Sequence, residues 1–252
     1  MDIATRATTL LDLHHTGTTL VLPTVWDAWS ARTVVDAGFS ALTIGSHPLA
    51  DSRGQADNEG MTIDDALDGV RRICAAVPDV PVSADMESGY GVGPAELVER
   101  LLEAGAVGLN IEDTVHSEGG RLRSVAEHAD YIGGIRQAAD AAGVDLVINA
   151  RTDVFTKDDI ADPLDQAIER MKACEGAGSR SSYPVKVGDA ATLKALLDAL
   201  DGPVNVTASP RSGAPSGSLD ELRAMGVHRV TFGPLLMKDL APDLAALVTP
   251  WR

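Results

Sequence analysis

The chain is short of positive charge. Lys and Arg total 21 against 37 Asp and Glu, a formal charge of −16 over 252 residues. A field of that sign repels nucleic acid and anionic membrane, so neither is an expected partner. It also repels an anionic substrate, so a site for one must carry its own local cation. Cysteine is scarce: Cys74 and Cys174 are the two present, without CxxC spacing. They read as buried thiols in a reducing compartment. No apolar run reaches the ~18 residues of a membrane span. The stretch 1–13 carries Asp2, Arg6 and Asp12 and lacks the unbroken apolar core of a signal peptide. A Gly-x-Gly-x-x-Gly fingerprint, a linker and a low-complexity tract are all missing. A soluble, cytoplasmic chain with one domain, 1–252, is expected.

What is present is a recurring unit. A helical stretch ends in Ala-Gly or a near variant, and a short β-rich run follows. Asp36-Ala37-Gly38 precedes Ala41-Leu42-Thr43-Ile44, and Glu103-Ala104-Gly105 precedes Leu109-Asn110-Ile111. Ala141-Ala142-Gly143 and Ala224-Met225-Gly226 repeat the pattern. Glycine just past a helix end takes the left-handed conformation that closes the helix. Apolar runs alternating with amphipathic helices mean βαβ units and a parallel sheet. Strands are expected near 19–25, 41–46, 80–85, 108–112, 146–151, 183–187, 203–208 and 229–233. Eight of them in this length fit an α/β fold of the (β/α)8 barrel type. The sixth is uneven, because Gly178-Ser179-Arg180-Ser181-Ser182 is too polar for a barrel strand. Its buried part is expected to begin near Tyr183. Stretches 47–60 and 209–217 read as long loops at the catalytic end.

Three strands end in charge. Asp85 and Glu87 lie two apart and so share one side of an extended chain, Glu112 ends the next strand, and Arg151 ends the one after. Converging carboxylates suit Mg²⁺, or Mn²⁺, which prefer oxygen ligands. The planar fork of Arg151 suits a substrate carboxylate, or a salt bridge to Asp153 or Glu112. Ser46, after Ile44-Gly45, brings a hydroxyl to a strand end. His14, His15, His116, His128 and His228 fall in helices or exposed loops and carry no assigned role. His47 is noted because it adjoins Ser46.

These residues carry a resemblance. Ile44-Gly45-Ser46, Asp57-Asn58-Glu59, Asp85-Met86-Glu87-Ser88-Gly89-Tyr90-Gly91, Ile111-Glu112-Asp113 and Ala150-Arg151-Thr152-Asp153 resemble the isocitrate lyase/phosphoenolpyruvate mutase superfamily. The resemblance implies a (β/α)8 barrel, Mg²⁺ dependence and a small anionic 2-oxo acid or enolpyruvate as substrate. It implies a homodimer or homotetramer that exchanges the last barrel helix. By position, Asp85, Glu87 and Glu112 would be the metal-site acids. Arg151 and Ser46 would hold the substrate's carboxylate and oxo group, with His47 and Asp85 beside it. Asp57 would be the loop acid near the reacting bond, joining Arg151 and Glu112 as catalytic residues.

The departures bear on activity. Lyases of this superfamily carry Lys-Lys/Arg-Cys-Gly-His after the Glu-Asp pair, and mutases carry a Lys and an Asn there. This chain has Thr114-Val115-His116-Ser117-Glu118-Gly119-Gly120-Arg121-Leu122, with Glu118 and Gly120 at those two positions. A Gly-Leu pair of the family is His47-Pro48 here, a mutase His on the sixth strand is Tyr183, and Glu87 replaces a more usual Asp. Segment 114–123 is expected to be a mobile gate, since it has few apolar residues to pack. Under a mutase reading, Arg121, Arg123 or Arg53 would have to stand in for the missing Lys. The reading is a Mg²⁺-dependent lyase acting through a pyruvate-type enolate. A phosphoenolpyruvate phosphonomutase and a non-catalytic oxo-acid-binding barrel are the alternatives.

Overall fold

In a computed structural model describing residues 1–252, eight parallel strands form a ring. They are Leu20–Leu22 continued by Thr24–Val25, then Leu42–Ile44, Val82–Asp85, Gly108–Glu112, Val147–Thr152, Ser181–Pro184, Asn205–Thr207 and Arg229–Thr231. The first strand belongs to both edges of the ring. Its front half pairs with the last strand (Leu20 with Arg229), and its rear half with the second (Thr24 with Thr43). Pro23 sits at the break, where a residue without an N–H costs no ladder bond. The sixth and seventh strands meet at a Ser182–Val204 bridge, where the Ser182 N–H donates to the Pro203 carbonyl at 2.8 Å. The expected (β/α)8 barrel is therefore the observed fold.

Helices alternate with the strands: Ala28–Asp36, Ile63–Ala76, Pro94–Ala104, Val125–Ala141, Pro163–Gly176, Ala190–Ala199, Leu219–Met225 and Leu235–Val248. Capping boxes start four of them, at Asp27, Thr62, Ser124 and Ser218. Gly105 closes Pro94–Ala104 with φ 96°, as the Ala-Gly pattern predicts. An added helix, Ile3–Leu13, packs its buried Ala7 and Leu10 against Val107 and Val147 at the strands' N-terminal ends. The last helix differs from the others. It buries none of its residues: Leu244 and Leu247 are 65 and 72% exposed, and Trp251 in the 3₁₀ turn just past its end is 90% exposed. No helix is long and apolar enough to cross a membrane.

Two expectations are corrected. The sixth strand starts at Ser181, not Tyr183, and Ser181 and Ser182 are both buried. The barrel's buried interior is itself polar here. Asn149 Nδ2 donates to Asn110 Oδ1 at 2.8 Å, Asn205 Nδ2 to Thr231 Oγ1 at 3.2 Å, and the fully buried Arg229 lies 3.4 Å from Asn110 Oδ1. Serine is tolerated among such neighbours. The stretch 47–60 is not all loop either, because Ser46–Arg53 is a helix. Pro48 falls in its first turn, where its missing N–H has no helical partner to lose.

Candidate active site

The acids and Arg151 meet at the C-terminal ends of the strands. Glu112 and Arg151 are register partners, so their side chains leave adjacent strands at one level. Arg151 Nη1 lies 2.7 Å from Glu112 Oε2 and 3.9 Å from Asp85 Oδ2, and Nε donates to Asp153 Oδ1 at 2.7 Å. Ser46 Oγ reaches Asp85 Oδ2 at 3.4 Å. Ser46, Asp85, Glu112 and Arg151 are thus one connected group.

Glu87 enters by a different route. It no longer belongs to the strand but begins a tight turn in which Glu87, Gly89, Tyr90 and Gly91 all have positive φ. Non-glycine residues held there cost free energy, and such turns persist only when braced. Tyr90 OH donates to Glu87 Oε1 at 2.8 Å, and the Glu59 N–H donates to Glu87 Oε2. Glu59 Oε1 in turn accepts from Ser88 Oγ at 2.5 Å and the Tyr90 N–H at 2.9 Å. A side chain at Gly89 would be strained at φ 101°, and its Cβ would lie 2.2 Å from Tyr131 OH. The brace role of Glu59 has no signal in periodicity; only its adjacency to Asp57 marked it.

Glu87 and Glu112 are both 2% exposed. Burial, and then the Asp85 charge, push Glu87 up to about 8. Burial pushes Glu112 up to about 7, against the pull of Arg151 and His116, and burial likewise raises Asp85. A dry group of carboxylates with one guanidinium lacks positive charge. A divalent cation would relieve that, so the donor chemistry fits one. The atoms closest to a ligand set come from Glu87, Glu112 and His116, all within 4.8 Å of one another. Asp85 is outside that group, although it shares Arg151 with Glu112. His116, given no role from sequence, donates or accepts through Nε2 at 2.5 Å from Glu112 Oε1. A short 3₁₀ turn, His116–Glu118, folds it back over the strand end.

The segment expected to be a gate is a small hairpin, with Thr114 paired to Leu122 and Val115 to Arg121. Its base is fastened. Arg123 N–H donates to the Asp113 carbonyl at 2.7 Å, and its guanidinium to the Glu112 and Ser88 carbonyls at 3.0 and 2.8 Å. The guanidinium also lies 4.4 Å from the Tyr131 ring centre. Arg121 is paired with Glu118 at 2.5 Å and Glu127 at 3.1 Å, and Arg53 with Asp68 at 2.9 Å. All three arginines are therefore engaged elsewhere. The cation that reaches the hairpin tip is Lys157, whose Nζ donates to the Gly120 carbonyl at 3.0 Å. Lys157 lies in the loop after the fifth strand, where no motif or strand end marks it in the sequence.

Asp57 and His47 come together. His47 Nδ1 is 2.9 Å from Asp57 Oδ2, and Nε2 is 3.4 Å from Asp51 Oδ2. Beneath the site, Asp113 is fully buried and accepts from Thr152 Oγ1 at 2.6 Å, the Asp153 N–H at 2.9 Å and Arg170 Nη1 at 3.2 Å. Asp153 accepts from Thr114 Oγ1 at 2.6 Å. This layer orients Arg151 and ties the hairpin base to the fifth strand.

Comparison with known proteins gives the family and the fold. The family model described as phosphoenolpyruvate phosphomutase matches residues 10–249. The 2-methylisocitrate lyase of Escherichia coli K12 is 33% identical over 199 residues, 76% of this chain and 66% of that protein. The chain thus spans just under two thirds of that relative's length. An oxaloacetate decarboxylase of Rhodopseudomonas palustris is 33% identical over 92% of this chain and 78% of its own. Among solved structures, a phosphonomutase candidate from Burkholderia cenocepacia J2315 is 41% identical with a TM-score of 0.88, covering 97% of this chain and 99% of its own. Oxaloacetate acetylhydrolase with oxalate bound is 27% identical with a TM-score of 0.85, covering 98% and 85%. The chain belongs to the phosphoenolpyruvate phosphomutase family, within the isocitrate lyase/phosphoenolpyruvate mutase superfamily.

Proposed function

We propose that the chain is a single-domain, divalent-metal-dependent lyase that breaks a carbon–carbon bond in a small 2-oxo acid, with decarboxylation as its first candidate reaction. The observation that carries this reading is the hairpin charge. The position of the mutase lysine is Glu118, and the nearby arginines are engaged with protein acceptors. A migrating phosphoryl group needs positive charge around it, whereas loss of CO₂ needs no base in the bond-breaking step. The 33% identity to an oxaloacetate decarboxylase supports the same choice.

A bound Mg²⁺ or Mn²⁺ would polarise the 2-oxo group and stabilise the enolate left when the bond breaks. The chain's own residues do the rest. Arg151 pairs with the retained carboxylate through the part of its fork that faces away from Asp153. Ser46 hydrogen-bonds the substrate's oxygens. The electron pair of the broken bond stays on the enolate carbon, which then takes a proton. Asp57 and His47, joined to each other at 2.9 Å next to Ser46 in the chain, are our candidates to deliver it. The uncovered apolar side of the last helix supports exchange of that helix within a homodimer or homotetramer.

Turnover of oxaloacetate and phosphonopyruvate in parallel, with Mg²⁺ and with EDTA, tests the reading. Metal-dependent release of CO₂ from oxaloacetate is expected. Turnover of phosphonopyruvate alone would make the chain a mutase. Oxalate binding without either turnover would make it a binding protein.

A further inference from the structure

We propose that His116 supplies an imidazole nitrogen to the cation held at Glu87 and Glu112, making the centre a mixed nitrogen–oxygen site that favours Mn²⁺ and Co²⁺ over Mg²⁺. The inference rests on the metal-dependent reading above and concerns which donors complete the site.

The geometry is specific. His116 Nε2 is 2.5 Å from Glu112 Oε1 and 3.9 Å from Glu87 Oε2. The other oxygen of each carboxylate is occupied. Glu112 Oε2 faces Arg151 at 2.7 Å, and Glu87 Oε1 accepts from Tyr90 OH at 2.8 Å. Each glutamate therefore turns one oxygen toward the imidazole and is oriented from behind by Arg151 or Tyr90; the Glu87 oxygen so turned also accepts from the Glu59 N–H, which leaves it a second lone pair for a cation. Outer partners of that kind are what fix metal-ligating side chains. The imidazole is itself well placed. It is 18% exposed and sits directly after Val115, which is buried and paired across the hairpin with Arg121. A cation bound there would take the lone pair of Nε2 and release any proton bridging Nε2 and Glu112 to solvent. Mg²⁺ is hard and keeps oxygen ligands, whereas a first-row transition ion gains from an imidazole nitrogen, by an amount that rises from Mn²⁺ through Co²⁺.

The test uses Mn²⁺ alone on the full-length protein. Electron spin echo envelope modulation should show nitrogen coupling to bound Mn²⁺. The coupling should change to the ¹⁵N pattern in protein carrying ¹⁵N-histidine, and vanish in His116→Gln. In calorimetric titrations His116→Gln should lose about tenfold or more in Mn²⁺ affinity, the least that removing even an outer partner costs, with a much smaller change for Mg²⁺. Mn²⁺ bound without nitrogen coupling would overturn the proposal, and so would coupling that survives in His116→Gln. Either result leaves the metal-dependent reading standing. Failure of wild-type protein to bind Mn²⁺ would overturn both.

Discussion

Arg151 Nη1 lies 2.7 Å from Glu112 Oε2. Its Nε is held by Asp153 at 2.7 Å, and Nη2 makes no hydrogen bond to protein. The guanidinium is thus fixed at two corners with the third left for a ligand. Both sequence-derived roles, ion pair and carboxylate clamp, are compatible with that arrangement.

Arg151→Lys should therefore cost more than its conserved charge suggests. A point donor cannot hold Glu112, Asp153 and a substrate carboxylate at once. The expected loss is roughly 2–3 kcal/mol in kcat/KM, about 10²-fold, from the worth of a charge-assisted pair in a dry site. Steady-state kinetics on the accepted substrate measure it. A change below about threefold would leave Arg151 a structural ion-pair partner.

Asp85→Ala should remove Mg²⁺-dependent oxalate binding and leave the fold intact. Asp85 has only long contacts to lose, 3.4 Å to Ser46 Oγ, 3.3 Å to the Glu87 N–H and 3.9 Å to Arg151 Nη1, which keeps Glu112 and Asp153. Burial and neighbouring acids hold its carboxyl above the usual range, so its removal relieves repulsion in the metal-free protein. Melting temperature should hold or rise slightly while the calorimetric signal of oxalate disappears. Unchanged oxalate affinity would take Asp85 out of the metal site.

The hairpin tip, not the whole of 114–123, should be the moving part. Arg123 anchors the base, and Lys157 holds the tip through one bond to Gly120. Amides of 116–120 should exchange quickly in the free protein and slow with Mg²⁺ and oxalate. Lys157→Ala should raise KM by an amount on the order of 1–2 kcal/mol, while Arg121→Ala should be close to neutral. Equal effects of the two substitutions would contradict this division of roles.

Acid should destabilise the protein through two buried histidines. Burial holds His14 and His128 down at about 3, against 6.5 for a free imidazole. Both stay neutral in the fold while the unfolded chain takes up protons. Below about pH 6.5 the unfolded state binds more protons, so stability falls as pH drops toward about 3. The slope is up to about 1.4 kcal/mol per pH unit for each histidine. His128→Leu should remove its share, as read from urea titrations between about pH 5 and about pH 7.

The last helix should be an association surface. Leu244 and Leu247 are 65 and 72% exposed, and burying a leucine is worth about 2 kcal/mol. Analytical ultracentrifugation should find a dimer or tetramer, and Leu244→Asp with Leu247→Asp should shift it toward monomer. A monomeric wild-type protein at micromolar concentration would end the helix-exchange expectation.

Much of this protein was legible in the sequence because it is locally encoded. The Ala-Gly helix ends, the apolar runs and the acids at strand termini each depend on a few neighbouring residues, and together they specified the barrel and the positions of Asp85, Glu112 and Arg151. The unusual hairpin charge was legible for the same reason: Glu118 and Gly120 can be read in place. Only the tertiary structure decided what those residues touch. Glu59 and Glu87 are 28 positions apart, and Gly120 and Lys157 are 37. No periodicity links them, and closure of the ring brings them together. Ser181 and Ser182 looked too polar to be buried because the polarity of the barrel interior depends on Asn149, Asn205 and Arg229 arriving from other strands. His116 looked like an exposed loop residue until a three-residue turn laid it on Glu112, because a side chain's direction at a turn is set by backbone dihedrals that its own residue type does not dictate.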